Sequence, residues 1–429
     1  MLLEFSVRNY KSFRDLCRFS MVAAKISARD KHIDENNVCR VDDDLSLLTS
    51  AAVYGANASG KSNLTAALNF MRRFVSNSSK DTQAMEPIGV EEFRLSTETA
   101  GQPSFFEVVF LLGGKKHRYG FEVDRGRVVS EWLHHVPTVR EAALFTRSGD
   151  NIILSSSFRE GRGIKEKTRK NALFLSVVAQ FNGQIAQDVL GWFMRLNVIS
   201  GITDDSTRGY TLRSFEGSHY RNDIIRFVKE LDLGISDLHI EKTKLTPEAL
   251  PSDMPSALKD LILTSTEAEL VSVRTTHRKY DAEGNPAAVE IFDLDVHESQ
   301  GTQKLFNLAG PVIDTLSAGK ILIIDELDAR LHPLITLAIV GLFNSKRTNP
   351  HNAQLVFTTQ DTGLLSNKVF RRDQIWFTEK DARGATHLYS LAEYRVRNDE
   401  SFGKHYLSGK YGAIPFIGDL QYVTGKADA

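Results

Sequence analysis

Apolar and polar positions alternate over residues 1 to 8, with Leu3, Phe5 and Val7 on one side, which is the period of a half-buried strand. Residues 47 to 54, Leu-Leu-Thr-Ser-Ala-Ala-Val-Tyr, read as a buried strand. Between 104 and 135 three strand patterns are separated by Gly113-Gly114 and Arg125-Gly126, and short glycine turns of this kind predict an antiparallel meander. The period then changes. Over 171 to 198, Leu173, Leu175, Val178, Ile185, Val189, Trp192, Phe193 and Leu196 recur at broadly helical spacing. The stretch 200 to 260, with Pro251 and Pro255, mixes short helical and polar pieces. Strand patterns return at 268 to 275 and 288 to 295, joined by the turn-rich Asp281-Ala-Glu-Gly-Asn-Pro. Leu305, Leu308, Ala309, Val312, Ile313 and Leu316 then follow i, i+3, i+4 on a helix that Pro311 is expected to kink or divide. The last third alternates helix and strand, the mark of a mostly parallel sheet. The pattern therefore predicts an α/β protein with a mixed sheet: the N-terminal part of the main lobe with an antiparallel β subdomain over 1–160, a mainly helical insert over 161–265 and the C-terminal part of the main lobe over 266–429.

Composition narrows the partners more than the fold. The chain has 429 residues, and its 53 Lys+Arg against 54 Asp+Glu leave a formal charge of -1. At roughly 150 residues per domain that length fits about three units, or one α/β core with insertions. A near-neutral chain is not a wholly basic coat for nucleic acid, so a polyanion would have to be met by a local patch. Cys17 and Cys39 form no CxxC pair and no Cys/His cluster, which argues against a disulfide scaffold or a structural zinc. Glu4 and Arg8 interrupt the apolar run a signal peptide needs, and no stretch approaches the roughly 18 apolar residues of a membrane span. The expectation is a cytoplasmic, reducing location without membrane contact.

Chemistry concentrates first at Gly55-Ala-Asn-Ala-Ser-Gly60-Lys61-Ser62, which fits G-x-x-x-x-G-K-[ST] at every fixed position. It follows the strand 47 to 54 and precedes a helix with the stripe Leu64, Ala67, Leu68 and Met71. In such a loop the glycines let the backbone turn around phosphates and the helix N-terminus presents N–H groups. Lys61 reaches the β and γ phosphates, and Ser62 ligates magnesium. Ile321-Leu-Ile-Ile-Asp325-Glu326 is an apolar strand ending in two carboxylates. Laid beside the P-loop strand, it would bring Asp325 to the magnesium shell and Glu326 to the γ-phosphate, where it could polarise a water. Glu298-Ser299-Gln300-Gly301-Thr302 opens the next helix upstream, either as an anion nest or as an ordinary N-cap. Gln354-Leu-Val-Phe-Thr-Thr359 reads as one more buried strand, with Gln360-Asp361 at its end.

The order of these motifs is that of ABC-type ATPases, and Leu327-Asp328-Ala-Arg-Leu-His332-Pro333 resembles their D-loop. More specifically, the chain resembles the AAA15-type ABC-like ATPases of bacterial anti-phage defence, relatives of the SMC, Rad50 and RecF heads. PARIS-type ATPase subunits belong to that group, and its motifs do not separate them from the rest. The resemblance rests on Phe5-Ser-Val-Arg-Asn9-Tyr-Lys11-Ser12-Phe13, on Asn57 and Asn63 in the P-loop, on Phe174 to Asn182 with Gln180, and on Glu298 to Thr302. Asp325 to Asp328, Leu331-His-Pro333, Phe357 to Asp361, Arg372 to Phe377 and Tyr406 to Pro415 extend it over nearly the whole chain. It implies ATP and Mg2+ at a site shared between two copies in a homo-oligomer. Gly55, Ala56, Asn57, Ser59, Gly60, Lys61, Ser62, Asn63 and Asp328 would serve one face, and Ser299, Gly301 and Thr302 the other. Ser62 and Asp325 would hold the metal, with Glu326 and Gln360 catalytic. It also implies a co-encoded effector, often a nuclease, and a phage-derived trigger. One position departs from the ABC pattern. Gln360 stands where a switch histidine is expected, and glutamine can hydrogen-bond the attacking water but cannot accept a proton near neutral pH, so hydrolysis is expected to be slow.

Other charged features keep two readings. Arg159, Arg162, Lys165, Lys167, Arg169 and Lys170 form either a polyanion patch or a solvated loop and helix face, and Arg274, His277, Arg278 and Lys279 read the same two ways. Arg8 and Lys11 either reach the nucleotide or flank a strand as surface charges. His134-His135 are expected at a strand end. The rival function is a DNA-binding repair head of the RecF or SMC kind. The interval from Lys61 to Ser299 holds no sustained heptads, which excludes a long arm but not a short one.

Overall fold

Five consecutive residues, Ser50–Tyr54, are all buried, which requires neighbours on both edges and both faces of the strand. In the computed structural model Gln354–Thr358 pairs with it in parallel on one edge and Ile375–Lys380 in parallel on the other. The full six-stranded sheet runs Leu196–Ser200, Ile321–Asp325, Gln354–Thr358, Ser50–Tyr54, Ile375–Lys380, Thr386–Ser390, antiparallel only at the last pair. The Asp-Glu strand is thus not beside the P-loop strand, as its motif suggested; Gln354–Thr358 lies between them. The predicted strand 47 to 54 is broken at Thr49, whose N–H and hydroxyl turn to the Asn37 carbonyl. Structure is described for residues 1–81, 83–203, 205–217, 220–231, 234–244, 254–259, 269–397 and 399–415. Pro251 and most of 245–268 lie outside them.

The described residues fall into two compact units. The first comprises Met1–Ile202, Thr315–Ala329 and Pro333–Ala429; the second comprises Thr203–Asp314 and Arg330–His332. The second unit thus draws residues from both the 161–265 and 266–429 intervals.

In the first unit the meander of 104 to 135 becomes Ser104–Leu112, Lys115–Val123 and Val128–His135. Leu2–Arg8 and Cys17–Ser20 on one side and Ala142–Ser148 and Asn151–Leu154 on the other extend it to seven antiparallel strands. One apolar core joins this sheet, the parallel sheet and the helix Lys61–Asn77. Leu64, Ala67, Leu68 and Met71 pack in it with Phe5, Phe106 and Phe121 and with Ile321, Ile323 and Val356. Each large side chain so buried contributes about 1.5–3 kcal/mol, and together they hold the helix rigidly behind the loop it opens from. The helical spacing over 171 to 198 resolves into Phe174–Gln180 and Gln184–Met194 before the chain turns into the edge strand Leu196–Ser200. The first helix begins where Phe174 and Leu175 N–H donate to the fully buried Glu131 carboxylate. Tyr119 Oη also donates to that carboxylate and Arg147 lies 3.7 Å away, so burial raises the Glu131 pKa while these partners oppose the shift.

The second unit is a three-stranded antiparallel sheet, Ile235–Lys244, Glu269–Tyr280 and Pro286–Asp293, with helices Asp205–Glu216 and Arg221–Glu230. Phe215, Ile224, Val228, Leu238, Val273 and Phe306 form its core. Of the two outcomes expected at Pro311, a kink or a division, the helix Gln300–Ala318 shows no division. Proline removes the N–H that would bond the Asn307 carbonyl, but Thr211 Oγ1 donates to that carbonyl at 2.7 Å. Gly310 allows the approach, since a Cβ there would come within 2.6 Å of the same hydroxyl oxygen.

Candidate functional site

The P-loop leaves the parallel sheet at Tyr54 and closes onto the helix at Lys61. Gly60 takes φ +113°, a left-handed value, and a Cβ on it would collide with the Thr386 side chain; a Cβ on Gly55 would collide with the Thr378 carbonyl. Both glycines of the motif are therefore demanded by close packing as well as by the turn. Ser59 Oγ pairs with Thr378 Oγ1 at 2.7 Å, and Thr386 Oγ1 bridges the Ser59 carbonyl and Ser12 Oγ, each at 2.8 Å. Asn63 Nδ2 donates to the same Ser12 Oγ at 2.6 Å. Ser12 and Thr386 thus brace the loop from the opening strand's turn and from the sheet edge.

The helix Lys61–Asn77 starts without a side-chain cap and without an acidic residue in its first turn. Its N-terminal N–H groups and dipole are left for an external anion. Lys61 is buried, and its ammonium donates to the Gly55 carbonyl at 2.7 Å and to the Ala56 carbonyl at 3.1 Å. Burial lowers its pKa, while the Glu326, Asp325 and Asp328 carboxylates favour its charged form.

Thr358 fixes the Asp325 carboxylate and the Glu326 backbone. Its hydroxyl donates to Asp325 Oδ1 at 2.7 Å and accepts the Glu326 N–H at 2.7 Å. Glu326 sits at φ +55°, a left-handed backbone that turns its side chain out of the strand. Gly201 supports this turn: its N–H bonds the Asp325 carbonyl at 2.6 Å, and a Cβ there would collide with the Glu326 carbonyl. Asp328 Oδ2 accepts the Gln360 N–H at 3.1 Å, which joins the D-loop-like segment to the end of the Gln354–Thr358 strand. A cleft of about 490 Å³ results, lined by residues 57–63 with Glu326, Gln360 and Lys380. Among the described residues no group of three or more His, Cys, Asp or Glu side chains converges as a metal cage. Magnesium does not need such a cage, since it takes few protein ligands and keeps waters and phosphate oxygens.

Ser299, Gly301 and Thr302 belong to the second unit. Ser299 Oγ accepts the Thr302 N–H at 3.1 Å and pairs with Thr302 Oγ1 at 3.0 Å, the geometry of an N-cap. Gly301 gives room for the Arg330 carbonyl, which a Cβ would approach to 2.9 Å.

Several of the other charged residues take up structural partners. Arg8 pairs with Glu122 at 2.8 Å and Lys11 with Glu91 at 3.4 Å. Arg169 donates to the Ser78 and Ser79 carbonyls beyond the P-loop helix, and Lys167 lies 4.7 Å over the Phe181 ring. His134 and His135 end a strand. Sequence reading missed Thr358 and Thr386 as supports, and also Gly201 and Lys380. Thr358 ends a buried strand, where a hydroxyl needs a polar partner, and that was its visible signal.

No curated protein matches the chain. Among solved structures it is similar to an SMC head domain from Thermotoga maritima, at 12% identity and TM-score 0.39 over 91% of this chain and 98% of that one. It is also similar to an Smc head domain with a coiled coil and joint from Pyrococcus yayanosii, at 10% identity and TM-score 0.40 over 95% and 99%. No helix among the described residues is long and apolar enough to cross a membrane. The family described as "AAA domain, putative AbiEii toxin, Type IV TA system" matches residues 50–366, from the P-loop strand through the Asp-Glu strand to Gln360 and beyond, and the chain belongs to that family.

Proposed function

We propose that the chain binds and slowly hydrolyses MgATP at a site shared between two copies, and thereby controls a co-encoded effector, a nuclease, in anti-phage defence. The observation that carries this is the buried Lys61 ammonium at an uncapped helix N-terminus, facing Glu326 across the cleft. Residues 57–63 would wrap the phosphates with backbone N–H groups while Lys61 holds the β and γ phosphates. Ser62 and Asp325 would hold magnesium, which when bound neutralises charge developing on the phosphate oxygens. Glu326 accepts a proton from the attacking water, and Gln360 orients that water without taking the proton. Ser299, Gly301 and Thr302 of a second copy would close the site, with the Ser299 hydroxyl donating to phosphate while its oxygen keeps the Thr302 N–H. The family's toxin–antitoxin description supports a partner encoded alongside.

The DNA-binding alternative has less behind it, because Arg8, Lys11, Lys167 and Arg169 already hold protein groups. The deciding experiment is gel filtration of the Glu326→Gln protein with ATP, alone and with the neighbouring gene product. A larger species holding unhydrolysed ATP and the effector is expected. A protein that stays unassociated with ATP and instead binds duplex DNA in a salt-dependent way would overturn the reading.

A further inference from the structure

Glu298, the residue before Ser299, is a side chain in an electrostatically awkward place. A free carboxylate one residue from an anion nest would repel phosphate. It is not free: its Oε1 accepts from His277 Nε2 at 2.7 Å and from Thr275 Oγ1, and only 10% of its side chain is exposed. Both donors lie on the strand Glu269–Tyr280, two residues apart and so on one face. The His277 ring is held against Phe292 with centroids 4.8 Å apart, and on the other side Gln303 Nε2 donates to the Glu298 carbonyl at 3.1 Å. The segment entering the helix is therefore fastened before and after Ser299, while Ser299 itself is exposed.

We propose that Glu298, latched by His277 and Thr275, is a positioning residue for the shared nucleotide site: the latch ties up its charge and sets Ser299 and Gly301 to receive the γ-phosphate held by the opposing copy. The inference rests on the shared-site reading above. Because Glu298 acts through Ser299, the latch governs closure of two copies over ATP and leaves ATP binding by one copy alone.

The test measures two quantities in parallel, ATP affinity of the dilute protein and association driven by a nonhydrolysable ATP analogue. His277→Phe keeps the packing on Phe292 and removes the donor; Glu298→Ala removes the acceptor. Both should keep ATP affinity within about twofold and weaken association by about tenfold or more, the size of a lost hydrogen bond to a charged group. His277→Gln, which keeps a donor, should restore association to within about threefold of the wild-type protein. Should His277→Phe fold poorly, Thr275→Val removes the second donor at nearly constant shape and should weaken association by a smaller factor. Ser299→Arg serves as the reference. If it associates like the wild-type protein, the shared-site reading fails. If it does not associate while His277→Phe, Glu298→Ala and Thr275→Val all do, that reading stands and the latch is overturned.

Discussion

In the first unit Lys61 is 6% exposed and its ammonium already has two carbonyl partners, whereas in the second Ser299 is exposed and its hydroxyl is engaged by its own helix. The contrast follows from how each group is held. Asp325 and Glu326 stand at the end of a strand bonded into the parallel sheet, and Lys61 opens a helix packed behind that sheet, so their positions are set before any ligand arrives. Ser299 begins a helix, and its contacts are those that any N-cap makes. The first is a preassembled binding surface; the second is a surface that can change partner. On the proposed shared-site reading, a site divided in this way would let one copy hold the nucleotide and leave closure to the meeting of two.

The largest effect that would sharpen this contrast is expected at Glu326. Glu326→Gln removes the proton acceptor and leaves the Thr358 bond to its backbone N–H untouched, so turnover should fall by about 10²–10⁴ while ATP affinity holds. Single-turnover hydrolysis beside equilibrium ATP binding checks it, and normal turnover would remove Glu326 as the base.

Lys61→Ala attacks binding itself. The loss of a buried, charge-assisted contact to phosphate should weaken ATP binding by about 10 to 100-fold, read by titration calorimetry. Undiminished affinity would mean that the cleft at residues 57–63 is not where the nucleotide binds, and the contrast between the two units would collapse.

Much of the first unit was legible because its signals are local. The P-loop, the stripe on its helix, the meander and the two carboxylates after Ile324 each occupy one continuous stretch. What escaped was non-local. Nothing near Ile321–Asp325 says that Gln354–Thr358 will separate it from the P-loop strand, since strand order depends on the whole sheet. Pro311 was read by its local rule, while the donor that stands in for its missing N–H comes from Thr211, a residue 100 positions before it. His277 was read as one member of a basic run, although the period of a strand puts it with Thr275 on the face that meets Glu298. The roles of Ser299, Gly301 and Thr302 came from motif order, and their geometry within one chain is that of an ordinary cap.

Thr211→Val tests the second unit by itself. It would leave the Asn307 carbonyl buried without a donor next to Pro311, and should destabilise this unit by about 1–3 kcal/mol. Denaturant unfolding followed by a probe in the helix Gln300–Ala318 would measure it. A neutral result would mean the helix passes Pro311 on its own and needs no outside support there.

The smallest effect is expected at Gln360, and it separates geometry from chemistry inside the preassembled cleft. Its backbone N–H is tied to Asp328 Oδ2, so the residue's place is fixed independently of its side chain, and a substitution there changes the functional group more than the frame. Glutamine can only orient a water; histidine can also take its proton near neutral pH. Because Glu326 already supplies a base, the gain from Gln360→His is an addition to an existing pathway, and steady-state turnover should rise by about three- to tenfold, well short of the full effect of a general base. The rise should vanish as pH falls below the usual histidine range near 6.5, where the imidazole is already protonated. Unchanged or lower turnover across that range would mean that the side chain at position 360 does not limit hydrolysis.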